Sequence, residues 1–362
     1  MFRALLYLKN TILALTSILL FNANVLSQEI NHKQAVVLQY HHVSSLTPAS
    51  TSIDPLQFIK HLDLIQSQGF QVLPLPKVMS RLKQGLTFKR KTLAITFDDG
   101  YLSIYKNAFP ELKKRNLPFT IFISPQAIDK KFGNSLSWQQ LKEMQRHGAT
   151  IANHSLAHKH LLATHSNEST TQWRQRIKQD IQNSQSRLKE VLGVQNRLFA
   201  YPYGEFNQAI KSLVKELGYT AFSQQSGPIS PTSDWQALPR FPASGIYARL
   251  DTFTVKLNSL AFEIKSAAPI SQLLTLGDSA PILELRINPQ DVQYRQTQCF
   301  YMGTAINTRV TELDADVLIH AQLAGPLKAG RSRYNCTAPS LTQKRHYWYS
   351  MPFINQPING VW

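Results

Sequence analysis

From residue 36 to residue 223 short apolar runs alternate with segments whose apolar residues recur at helical spacing. This alternation constrains the fold more than any other feature of the chain. Residues 36–43 (VVLQYHHV), 71–75, 92–97 (TLAITF), 119–123, 150–153, 198–200 and 221–223 read as strands. Between them, residues 55–69, 77–84, 108–115, 138–147, 170–192 and 208–217 read as helices, with Gly69, Gly85 and Gly193 as stops. Strand–helix alternation of this kind implies a largely parallel α/β sheet or barrel. Beyond about residue 267 the pattern changes to short strand-like runs (282–287, 298–302, 317–321, 346–351) split by Gly, Pro and Asn, as in a small all-β module.

Ahead of this stand Arg3 and Lys9, the 11-residue apolar run Thr11–Phe21, and a polar stretch ending in small residues before Gln28. That order of parts is a secretory signal peptide over residues 1–27. No later run is long and apolar enough for a membrane span, so the mature chain is expected to have none. Hydrophobic residues at 43% against 17% charged exclude a disordered chain. Two cysteines, Cys299 and Cys336, exclude a disulfide framework or a cysteine-rich zinc module. In an oxidising compartment such a pair bridges. The net charge of +17 fits either attraction to an anionic cell-envelope surface or plain solubility. Nucleic acid is not an expected partner of an exported protein.

Five clusters carry candidate chemistry. Asp98-Asp99 closes the strand 92–97, at the strand end where α/β enzymes build their sites. His154 and His158 follow the strand 150–153 and, four residues apart, can meet one ion. With one carboxylate they form a two-His, one-Asp face that leaves positions open, as catalytic metal sites do. His160, two residues on, is expected to face elsewhere. Tyr201-Pro202-Tyr203-Gly204 can offer backbone N–H groups to an oxyanion and rings to a sugar. Leu238-Pro239-Arg240 and Tyr40-His41-His42 complete the set. Taken singly, each also reads as a turn, a solvated pair or an ordinary strand-to-helix connection.

Taken together, Thr96-Phe97-Asp98-Asp99-Gly100 followed by His154-Ser155-Leu156-Ala157-His158 resembles the polysaccharide deacetylase family, whose catalytic region is the NodB homology domain. The resemblance covers about residues 35–250. It implies a distorted (β/α) barrel in residues 28–267, followed here by the β-rich module 268–362. It also implies one divalent metal ion, usually zinc, with cobalt, nickel or iron as alternatives. The implied reaction is hydrolysis of acetyl groups on an acetylated amino-sugar polysaccharide. Carried over by position, Asp98 is the general base, and Asp99, His154 and His158 hold the metal. The Tyr203 N–H supports the oxyanion. Most members place an Arg two residues before the Pro equivalent to Pro202; this chain has Ala200. Its Ala-Tyr-Pro-Tyr-Gly resembles instead the branch acting on poly-β-1,6-N-acetylglucosamine, which implies Arg240 as the group steadying the base. That branch also carries its general acid in an N-terminal Tyr-His context, which is His41 here, with His42 as the alternative neighbour. Leu318-Ile319-His320 matches the usual late Leu-x-His only superficially, since it falls in the β-rich part. The expected location is the periplasm, the cell surface or the medium. The alternatives are a peptidoglycan, chitin-oligomer or O-acetyl glycan deacetylase of the same fold, or an inactive glycan-binding relative.

Overall fold

In the computed structural model, residues 32–275 and 277–356 are described; the signal peptide expected at 1–27 lies outside them. Six buried strands run parallel: β1 (Val36–Tyr40), β2 (Thr92–Phe97), β3 (Phe119–Ile123), β4 (Ala149–Asn153), β5 (Leu198–Ala200) and β6 (Thr220–Phe222). Their order in the sheet is their order in the chain. The sheet closes through residues 238–242. Leu238 bridges to Phe222, and β7 (Phe241–Pro242) pairs with β1. This is the distorted (β/α) barrel expected. Strands buried on both faces read as unbroken apolar runs, and β2 is buried at all six positions.

The period of two along each strand sorts the residues into layers. Val36, Leu38 and Tyr40, with Leu93, Ile95 and Phe97, pack outward with the helices. Val37, Ala94, Phe122, Ala152, Leu198 and Ala200 fill the barrel interior. Helix 170–192 shows how the outer layer is specified. Trp173, Ile177, Ile181 and Leu188 fall on one buried stripe. Ser169 and Gln172 close a capping box at its start, and Gly193 ends it at φ 68°.

Two expectations are corrected. The strand read over 36–43 breaks at His41, because His42–Val43 leaves the barrel to pair with Ser52–Ile53. The strand read over 71–75 stops at Val72, and Leu75 already opens a helix.

The remaining chain forms a sandwich. One sheet holds β8 (Ile264–Ala268), β9 (Leu283–Ile287), β11 (Asn307–Leu313) and β12 (Asp316–Gln322). The other is built on β10 (Gln298–Tyr301), β13 (Gly330–Pro339) and β14 (His346–Gln356). The inner faces of both meet in one core of Leu285, Ile287, Ile319, Tyr334, Phe353 and their neighbours. Cys299 and Cys336 sit opposite each other on β10 and β13 and form the expected disulfide. The sequence reading missed β13, whose arginines and threonine interrupt its apolar alternation.

Candidate active site

The interior parity that fills the barrel also aims the first site residues. Gln39 continues the Ala35–Val37 row, Asp98 the Ala94–Thr96 row, and His154 follows Ala152. Arg240, two residues after the interior Leu238, enters the same space. Asp98 and Arg240 are both 0% exposed. Their pairing is bidentate, Nη1 to Oδ1 at 2.7 Å and Nη2 to Oδ2 at 2.8 Å. Arg240 also donates from Nε to the Ser223 carbonyl (3.0 Å) and from Nη1 to Thr96 Oγ1 (3.2 Å). Gln39 Nε2 donates to Asp98 Oδ2 at 2.7 Å. Burial works to raise the Asp98 pKa, but the Arg240 guanidinium, with His154 and His41 adding to it, outweighs burial and holds the carboxyl down to about 2. Asp98 is therefore an ionised carboxylate throughout the neutral range. Sequence reading missed Gln39, although a glutamine inside a buried apolar strand was its signal.

Asp99 departs from the strand parity. Its φ of 68° lies in the left-handed region, as do Ser155 (65°), His158 (53°) and Tyr203 (58°). Such conformations cost non-glycine residues about 1–3 kcal/mol each and cluster at functional sites. Here they turn side chains back toward one another. Asp99 Oδ1 lies 3.2 Å from His154 Nε2 and 3.0 Å from His158 Nε2. The three ligand atoms all fall within 4.8 Å of one another.

This donor set fits a divalent cation. His154 Nδ1 sits 2.8 Å from the Ala200 carbonyl, which can only accept, so Nδ1 carries the proton. With Nδ1 committed in this way, the neutral form of the ring, the form that ligates metals, presents its Nε2 lone pair to the Asp99 oxygen. Both Nε2 and Asp99 Oδ1 are buried without a hydrogen-bond partner. Two lone pairs facing each other in a buried site call for a positive charge between them. Neutral imidazole with its far nitrogen tied to a carbonyl is also how metal-ligating histidines are held.

His41 stands where β1 breaks, with Nε2 3.9 Å from Asp98 Oδ2. Burial lowers its pKa, and the Asp98 and Asp99 carboxylates oppose that shift. His42 is turned aside and stacks on Tyr101, with ring centroids 3.5 Å apart. His160 takes no place in the metal cluster. Its Nδ1 contacts Glu205 Oε2 at 2.8 Å, and its ring stacks on Tyr203 at 3.9 Å. In the turn at Tyr203, Gly204 N–H and Glu205 N–H donate to the Tyr201 and Pro202 carbonyls, and the Tyr203 N–H takes no part in these bonds. His320 lies on β12, 3.4 Å from Glu284 on the neighbouring strand, and does not border the groove.

His41, Asp99, His158 and Tyr203 open onto a groove of about 540 Å³. The barrel supplies Tyr101 and Tyr247 to its walls, and the β-sandwich supplies Arg331, Arg333 and Phe353. The arrangement sets a buried carboxylate, three side chains that could hold a cation and a neighbouring imidazole beside an open cleft. Those are the parts of a metal-assisted hydrolytic site.

Residues 85–222 match the polysaccharide deacetylase family. YxkH of Bacillus subtilis, whose name places it among polysaccharide deacetylases, is 29% identical over 209 residues, covering 58% of this chain and 71% of that protein. The poly-beta-1,6-N-acetyl-D-glucosamine N-deacetylase of Staphylococcus aureus is 27% identical over 239 residues, covering 65% of this chain and 79% of its own. The solved structure of IcaB from Ammonifex degensii superposes with a TM-score of 0.53 at 27% identity, covering 61% of this chain and 94% of that one.

Proposed function

We propose, from the premise that residues 85–222 are a polysaccharide deacetylase domain, that this chain removes N-acetyl groups from an extracellular amino-sugar polymer, with poly-β-1,6-N-acetylglucosamine as its substrate. The observation that carries the reading is the buried bidentate Arg240–Asp98 pair beside the Asp99, His154 and His158 cluster. It supports Arg240 in the steadying role that Ala200 cannot fill. The Staphylococcus aureus relative supports the choice of polymer. Residues 28–267 would perform the chemistry, with 268–362 as the β-rich partner and 1–27 as the export signal.

Asp99, His154 and His158 would hold the divalent ion, zinc in this reading. When bound, such an ion would supply the polarisation of the acetyl carbonyl and would lower the pKa of water toward about 7. Asp98, kept ionised by Arg240, accepts a proton from the attacking water. The Tyr203 N–H donates to the oxygen that becomes negative. His41 gives a proton to the amide nitrogen as the C–N bond breaks, since an amide anion is too poor a leaving group. Burial lowers His41's pKa, and the Asp98 and Asp99 carboxylates oppose that shift and favour the imidazolium that must donate. The products are acetate and a glucosamine unit.

Acetate release from β-1,6-linked and β-1,4-linked N-acetylglucosamine oligomers, with and without chelator, tests the reading. Chelator-sensitive release from the β-1,6 series is expected. Preference for the β-1,4 series would replace the polymer by chitin or peptidoglycan, and no release from either would remove the N-deacetylase reading.

A further inference from the structure

The β-sandwich reaches the turn that carries Tyr203 through β13. Along β13, Tyr334, Cys336 and Ala338 point into the sandwich core, so the alternate positions Arg331 and Arg333 face away from it, into the groove. Arg331 reaches the turn that carries Tyr203. Its Nη1 donates to the Tyr203 carbonyl. Its Nε lies 3.7 Å from Glu205 Oε1, and its guanidinium sits 5.7 Å from the centroid of the Tyr203 ring. Glu205 is fully buried, and Oε1 has no hydrogen-bond partner. The Arg331 charge is thus placed beside a buried carboxylate oxygen that lacks another donor.

Tyr203 needs such support. At φ 58° it occupies a conformation that a non-glycine residue leaves unless its surroundings hold it. The His160 ring stacks on its side chain and the His158 ring meets it edge-on, and among the described residues Arg331 is the one that bonds its carbonyl from the sandwich side. Release of the carbonyl lets φ relax toward negative values. Because φ sets the angle between the gripped Tyr203–Gly204 peptide and the Pro202–Tyr203 peptide that carries the N–H, that rotation changes how the two are held together.

We infer that Arg331 is a positioning residue, by which the β-sandwich locks the Tyr203 peptide in the orientation the deacetylation needs. The inference rests on the role proposed above for the Tyr203 N–H. Arg333, two residues along, sits near Tyr247 with its guanidinium 5.8 Å from that ring and serves as the comparison.

The test uses the full mature chain with its metal content verified. Arg331→Ala, Arg331→Lys and Arg333→Ala are compared by steady-state acetate release and by hydrogen exchange of the peptide spanning 201–207. In Arg331→Ala, exchange of that peptide should rise at least about tenfold. Its kcat should fall about tenfold or more, less than the ~10²–10³ that loss of an oxyanion donor costs, with KM within about twofold. Arg331→Lys, which keeps a cationic donor, should recover part of both effects. Arg333→Ala should leave the exchange of 201–207 as in the wild type. Unchanged exchange in Arg331→Ala, or an equal rise across the whole chain, overturns the lock. Faster exchange with unchanged kcat overturns the catalytic consequence, and the fault then lies in the role given to Tyr203 rather than in the grip of Arg331.

Discussion

Replacing Arg240 by methionine removes the guanidinium while keeping an apolar stem of similar length. Asp98 is then left as a fully buried carboxylate with Gln39 as its remaining donor. In the native protein the Asp98 pKa is depressed from the ordinary 3.8 to about 2. The stability this contributes is present above pH 3.8 and is lost as pH falls toward 2. The gap is worth roughly 2–3 kcal/mol, and neither partner is exposed, so solvent screening does not reduce it. Breaking a buried pair by removing one member costs about 3–5 kcal/mol, of the same order. Without Arg240 the largest opposition to desolvation is gone, His154, His41 and the Gln39 donor being what is left, and burial pushes the carboxyl upward. Two outcomes follow for Arg240→Met. Stability measured in denaturant at pH 7 should fall by about 3 kcal/mol. Activity near pH 6 should fall by ~10²-fold or more, as expected when a general base is protonated, and the ratio of variant to wild type at the same pH should recover by at least about tenfold toward pH 9. Arg240→Lys keeps the charge but not the two parallel donors and should fall between. The double variant Asp98→Asn/Arg240→Met should lose less stability than the two single losses combined, because no unpaired charge is left. A loss of activity that is the same at every pH, or stability within about 0.5 kcal/mol of wild type, would refute the argument that Arg240 acts by keeping Asp98 ionised.

The purified chain should hold about one divalent ion, and Asp99→Ala or His158→Ala should remove it; stoichiometric metal in either variant rejects the ligand set. His41→Ala should lower the rate by ~10²–10⁴-fold with metal retained, whereas His320→Ala on β12 should be nearly silent, and the reverse result moves the acid out of the barrel. Cys299 and Cys336 should resist alkylation until reduced, and reduction of this bridge, which spans 37 residues, should destabilise the sandwich by about 2–4 kcal/mol while leaving metal content unchanged; immediate labelling of both thiols contradicts the bridge. Binding to anionic vesicles should weaken as salt is raised from 50 to 500 mM; a flat response would show that the net charge of +17 serves solubility alone.

Much of this site is local, and local features are readable from the chain. Buried parallel strands leave a strong apolar signal, and their period of two decides which residues enter the barrel. Asp98 and His154 therefore follow from the rows that end in Thr96 and Ala152, before any contact between strands is known. The motifs around them carried the family resemblance, and with it His41 and Arg240. Other parts depended on the chain closing on itself. Asp99, His158 and Tyr203 reach their places through left-handed backbone that no side-chain pattern announces, since only the surrounding packing makes such strain bearable. Arg240 meets Asp98 across 142 residues because residues 238–242 close the sheet between β6 and β1. Arg331 reaches Tyr203 across 128 residues from a strand that the apolar pattern did not reveal. The sequence determines strands, their facing and the ligand types, because each depends on near neighbours. The pairing of Arg240 with Asp98 and of Arg331 with Tyr203 is decided by tertiary structure alone, because a hydrogen bond acts over about 3 Å and only the closed fold brings such distant groups that close.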